Sequence, residues 1–151
     1  MRKQDLLELY FALWHLITKV NHLLMLAREK ELKQDGFAIP VRQAYILRVI
    51  EDLGPQTTLI ELANKAERRI DVISRQTVKM ENDGLIKRIK DKPKSNLLRV
   101  KLTKKGLAVS KVSRKSKLIN AIFSSFSEEE LRKLESMLNT ILIKLEEHNP
   151  L

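Results

Sequence analysis

From Asp71 to Gly106 the chain reads "DVISRQTVKMENDGLIKRIKDKPKSNLLRVKLTKKG", and its hydrophobic period changes halfway along. Up to Asn82 the apolar residues recur at helical spacing; beyond Gly84 they alternate as in a strand. The pattern predicts a short helix that runs straight into a two-stranded hairpin. Gly84 suits the helix end, because glycine takes a positive φ without steric cost. Two strands alone are marginal in water. The strands "LIKRIKD" and "NLLRVKLT", around the turn "KPKS", must therefore lean on the helices before them.

At ~100° per residue, the helix Ile70–Asn82 puts Ile73, Thr77 and Met80 on one side. Asp71, Ser74, Arg75, Val78 and Asn82 fall on the other. Before it come the turn "ERR" and a short third helix, opened by Thr58 and Glu61 as a capping box. A second helix, "VRQAYILRVIEDL", begins after Pro40 and stops at Gly54-Pro55. The first helix spans about Lys3 to Lys30, before the polar loop "ELKQDGFAI".

Beyond the hairpin, a fifth helix is predicted from near Thr103, carrying Leu118, Ile119, Ile122, Phe123 and Phe126. A sixth opens on a second capping box, Ser127 with Glu130. Its Leu131, Leu134, Leu138, Ile141 and Leu145 are spaced 3-4-3-4, the seam of a helix packed along another.

Two short helices joined by a tight turn and followed by a hairpin spell a winged helix-turn-helix. The expected fold class is mainly α with a small β-hairpin wing (α+β). Residues 1–38 are expected to form an N-terminal dimerisation helix, 39–103 the winged helix-turn-helix, and 104–151 C-terminal dimerisation helices. A helix fits the major groove of B-form DNA, where exposed side chains read base edges, while the preceding helix braces it.

Charge points the same way. The chain of 151 residues carries a formal +10. Between Pro55 and Lys105 stand fourteen basic residues against six acidic ones, so net +8 lies in about a third of the chain. Such a field draws polyanions, nucleic acid first. The alternatives are a winged helix that binds RNA and a helical scaffold whose basic face binds an acidic protein partner.

Cysteine is absent, which removes disulfides and thiolate metal sites. There is no Gly-rich phosphate loop, no zinc spacing and no nucleophile near a His, so neither an enzyme, a cofactor nor a metal is expected. His15 and His22 share a face of the first helix, where polar residues in a helical interface explain them better than a metal site. The N-terminal apolar run is broken by Asp5, Glu8, His15 and Lys19, unlike a signal peptide. A cytoplasmic protein, associated with the nucleoid and not with a membrane, is the expectation.

The stretch Thr58 to Gly106 resembles the MarR family of bacterial transcription regulators, most tellingly in "ELA", "ISR", "MENDGLIKR" and "VKLTKKG". The resemblance implies an obligate homodimer on a palindromic double-stranded operator, often a repressor relieved by a small-molecule effector. It also implies that Ser74 and Arg75, matching the family's "SR" pair, face the groove. Arg75 suits guanine O6 and N7, and Ser74 suits phosphate. The bland alternative for Arg75 is a solvent residue paired with Asp71 one turn earlier.

Lys79 is less favourably turned and is expected to meet phosphate; outward-facing Val78 suits a thymine methyl, the plain alternative being that one exposed valine needs no explanation. Arg68 and Arg69 are candidate phosphate clamps or plain surface charge. Arg88 stands where family members often carry a backbone-contacting arginine. The family's Asp-Arg-Arg wing tip is replaced here by Lys94, Ser95 and Asn96. Lys92 and Lys94 are therefore expected to meet phosphate as point charges.

Overall fold

A computed structural model describes residues 2–93 and 97–149. Its elements are α1 (Lys3–Gln34), α2 (Val41–Leu53), α3 (Leu59–Lys65), α4 (Ile70–Asn82), β1 (Ile86–Lys90), β2 (Leu98–Leu102), α5 (Lys104–Ser113), α6 (Lys117–Phe123) and α7 (Glu128–His148). The predicted class, helices around a two-stranded antiparallel wing, is what forms. The chain divides into two compact units, one ending at Val41 and one beginning at Arg42.

The first unit is essentially α1. It runs about a turn beyond the expected Lys30, since Glu31 to Gln34 are all good helix formers. Gly36, at φ 94°, ends it. The Gly36 and Phe37 amides then donate to the Lys33 and Leu32 carbonyls at 3.1 and 2.9 Å, a Schellman closure. Phe11, Trp14, Leu16 and Leu23, all more than half exposed, lie on this helix.

The second unit has the core. Leu47 and Ile50 of α2, Leu62 of α3, Ile73 and Met80 of α4, Ile86, Val100 and Val109 are all at most 2% exposed. The hairpin pairs Ile86 with Leu102, Arg88 with Val100 and Lys90 with Leu98. It does not stand alone: the Val100 amide donates to the Thr57 carbonyl at 2.8 Å, and Thr58 bridges Arg99. The segment before α3 thus acts as a third strand and supplies the support that two strands lack.

One expectation fails. The single fifth helix from Thr103 to Phe126 is two helices, α5 and α6, broken at Arg114–Ser116. Arg114 turns back towards α2, its Nη2 donating to Asp52 Oδ1 at 2.6 Å and to the Arg48 carbonyl at 3.2 Å. The Ser116 hydroxyl then accepts from the Ile119 amide at 3.0 Å and caps a new helix. Leu118, Ile119, Ile122 and Phe123 belong to α6, with Phe126 in the link to α7. The second capping box forms as expected: Glu130 accepts from the Ser127 amide at 2.8 Å and Ser127 from the Glu130 amide at 3.2 Å.

Candidate nucleic-acid interface

The predicted reading unit is α3, the turn and α4. Thr58 opens α3: Glu61 Oε2 accepts from its amide at 2.8 Å, and its hydroxyl accepts from the Glu61 amide at 3.2 Å. The Thr58 bonds hold the Glu61 carboxyl below the usual range. The turn that follows is another Schellman closure, with Arg68 and Glu67 amides on the Ala63 and Asn64 carbonyls at 3.0 and 3.2 Å. Its left-handed position is taken by Glu67, at φ 52°, where glycine is usual.

Helix α4 buries the side that the spacing predicted. Ile73, Thr77 and Met80 are fully buried. On the other side Arg75, Val78 and Lys79 are exposed and Ser74 is half-buried. Arg68 and Arg69 lie exposed in the turn just before it. Asp71 gathers two of these cations, with Arg69 Nε 3.1 Å from its Oδ1 and Arg75 Nη2 3.6 Å from its Oδ2. The i,i+4 pairing of Arg75 is thus present. The Arg75 and Asp71 side chains are 76% and 51% exposed, so the pair is worth at most ~1 kcal/mol and leaves the guanidinium free to exchange partners.

The wing is tied to this unit at both ends. The Arg88 amide donates to Glu81 Oε2 at 2.5 Å, joining β1 to the end of α4. The Arg88 side chain is only half-exposed and its Nε is buried without a hydrogen-bond partner, which sets it apart from the open cations of α4. At the other end, Thr103 Oγ1 donates to the Gly84 carbonyl and Lys105 Nζ to the Asp83 carbonyl, at 2.6 and 3.1 Å. Lys92 is exposed beside the turn, and Lys94 lies outside the described residues.

Sequence reasoning passed over Arg99. Its guanidinium faces Asp91 with two prongs and also donates to the Gln56 carbonyl. The Arg99 hydrogen bond holds the Asp91 carboxyl below its usual range, and the same bond raises Arg99. The available signal was register: Ile89 pairs with Arg99, which puts Asp91 diagonally across from it. Among the described residues no cluster of three His, Asp or Glu side chains forms a metal site, and no helix is long and apolar enough to cross a membrane.

No family model and no curated protein matches the sequence. Solved structures do match. The organohalide-sensing transcriptional regulator RdhR, in its 2,4-dichlorophenol-bound form, is 28% identical with a TM-score of 0.78, over 99% of this chain and 86% of that one. MepR of S. aureus, solved as a DNA complex, is 22% identical with a TM-score of 0.75, over 87% and 96%. AbsC, a MarR family transcriptional regulator from Streptomyces coelicolor, is 23% identical with a TM-score of 0.73, over 89% and 92%. The chain has the MarR-type winged helix-turn-helix fold. The MarR-type likeness extends well beyond Thr58–Gly106, over both flanking helical regions, where the sequence carries no sharp motif.

Proposed function

We propose that this protein is a sequence-specific, DNA-binding transcriptional regulator, a repressor and not an enzyme, which docks as a homodimer on a palindromic operator. The observation that carries this is the division of α4. One face is anchored in the core by Ile73, Thr77 and Met80, and the other presents Arg75, Val78 and Lys79 within a strongly basic region. A rigid helix with an open cationic face is what the major groove accepts.

In this reading Arg75 reads guanine, Val78 touches a thymine methyl, and Ser74, Lys79, Arg68, Arg69 and Arg88 hold the backbone. Lys92 and Lys94 on the wing add phosphate contacts, which give affinity and register without sequence information. Helix α1, helices α6 and α7 and the link between those two leave apolar side chains in solvent, among them Trp14, Phe126, Met137 and Leu138. A second copy covering them would form an interface of the obligate kind, ~2,000 Å² or more. Residues 1–38 and 104–151 are the dimerisation regions, and 39–103 the DNA-binding domain. Release from the operator by a small-molecule effector belongs to this reading, and RdhR in its 2,4-dichlorophenol-bound form supports the binding of such a ligand. The protein works in the cytoplasm, on the nucleoid.

Selection of bound duplexes from a random pool tests the reading. A two-fold dimer sets its recognition helices ~34–36 Å apart, so the enriched sites should be inverted repeats with half-site centres ~10 base pairs apart. Enrichment of no sequence would overturn it, and a requirement for 2′-OH groups would point to RNA.

A further inference from the structure

Helix α4 carries two acidic side chains, Asp71 and Glu81, and they do different things. Glu81 is committed to the Arg88 amide at the far end of the helix. Asp71 stands in the first turn on the exposed side, between two candidate DNA contacts, 3.1 Å from Arg69 and 3.6 Å from Arg75. Part of its role is ordinary, since a carboxylate in the first turn suits the helix dipole. A helix that only sought phosphate would nevertheless do better without a negative charge on its groove-facing side. From this placement we infer that Asp71 is a specificity-determining residue, which selects a cytosine close to the guanine read by Arg75. The inference rests on the proposal that α4 reads DNA.

The chemistry is that of the groove. An aspartate accepts from cytosine N4, whereas guanine and thymine present acceptors there that repel it. Arg75 wants the opposite, the two acceptors of guanine. Four residues along the helix separate the pair by ~6 Å, about two base-pair steps at ~3.4 Å each. Away from DNA the two side chains hold each other through an exposed, exchangeable ion pair. On a matching half-site each exchanges its partner for a base edge. On a mismatched one the carboxylate loses Arg75, keeps only Arg69 beside it, and meets acceptors or phosphate. Asp71 would then reject wrong sequences as well as favour the right one, and lower affinity for DNA in general.

The test compares wild type, Asp71→Ala and Asp71→Asn on the enriched operator, on operators changed at the cytosine, and on random duplex. All three should share one circular-dichroism spectrum, since the side chain is half-exposed. Wild type should discriminate the cytosine by about tenfold. Asp71→Ala should reduce that to within about twofold, bind random duplex several-fold more tightly and keep the guanine preference. Asp71→Asn should move the preference from cytosine towards adenine, the base an asparagine reads. An Asp71→Ala protein with an unchanged base preference and unchanged random-duplex affinity would overturn the inference while leaving Arg75 as a reader. Loss of all sequence preference in wild type would instead overturn the reading on which it rests.

Discussion

Arg99 and Asp91 grip each other across the wing near its turn, Nε to Oδ1 at 2.6 Å and Nη2 to Oδ2 at 3.1 Å. With the side chains 26% and 35% exposed, this is a better sheltered ion pair than those on α4. A third donor of the same guanidinium bonds the Gln56 carbonyl before α3. All three of its nitrogens are thus engaged in holding the wing to the helix-turn-helix, so Arg99 orients the wing.

Arg99→Ala should therefore loosen the hairpin without unfolding the core. Hydrogen exchange at the Val100 and Asp91 amides, which bond the Thr57 and Leu97 carbonyls, should quicken. Because Arg99 lowers the Asp91 pKa, the hold is fully present above the ordinary carboxylate range. It is lost as pH falls through the lowered value, so wild-type protection should persist at pH 5 and fade only in stronger acid. Unchanged protection in the variant would contradict this role.

Gly106, in the first turn of α5, has no room for a side chain. A Cβ there would stand 1.9 Å from the Leu85 carbonyl oxygen, which also accepts from the Thr103 amide. The obstacle is backbone and cannot swing aside. Gly106→Ala should cost ~2 kcal/mol or more and lower the melting temperature by about 4–8 °C for a chain of this size. A melting temperature within a degree of wild type would show that α5 can shift away from the wing.

Glu67 and Gly84 occupy the same left-handed position in two Schellman closures, at φ 52° and φ 74°. Only Gly84 is at ease there. Glu67→Gly should stabilise the protein by ~0.5–1 kcal/mol, relief of backbone strain outweighing the greater freedom of the unfolded chain. Thermal unfolding checks the gain, and Glu67→Ala separates its causes. If alanine stabilises as much as glycine, charge rather than conformation is responsible.

Much of this architecture is written locally. The capping boxes at Thr58 and Ser127, the glycine after α4 and the buried stripe of Ile73, Thr77 and Met80 each depend on residues within a turn or two. The break after Ser113 is not written that way. It depends on Arg114 finding Asp52 and Glu51, more than sixty residues earlier, and no local pattern shows that pairing. The Arg99–Asp91 pair is intermediate, visible only once strand register is known. Likewise, the spacing of α4 sets its exposed face, whereas the sharing of Asp71 between two arginines depends on how Arg69 leaves the turn before the helix.

Leu138 tests association. It is 47% exposed and lies in an apolar groove with Phe123, Leu131 and Leu134. A lysine there would sit in solvent in a lone chain but in the seam of the proposed dimer. Leu138→Lys should convert a dimer to monomer, or to unfolded chain, in sedimentation at micromolar protein, and abolish operator affinity. A variant that still sediments as a dimer would exclude this seam.

If α4 reads base edges through Arg75, Arg75→Ala should show it. Affinity is measured on the selected operator and on random duplex at one salt concentration, since phosphate contacts make both salt-dependent. The operator should lose ~1–3 kcal/mol, with preference relaxed at one base pair in each half-site and random-duplex affinity little changed. Equal weakening on both duplexes would make Arg75 a phosphate contact and contradict base reading by α4.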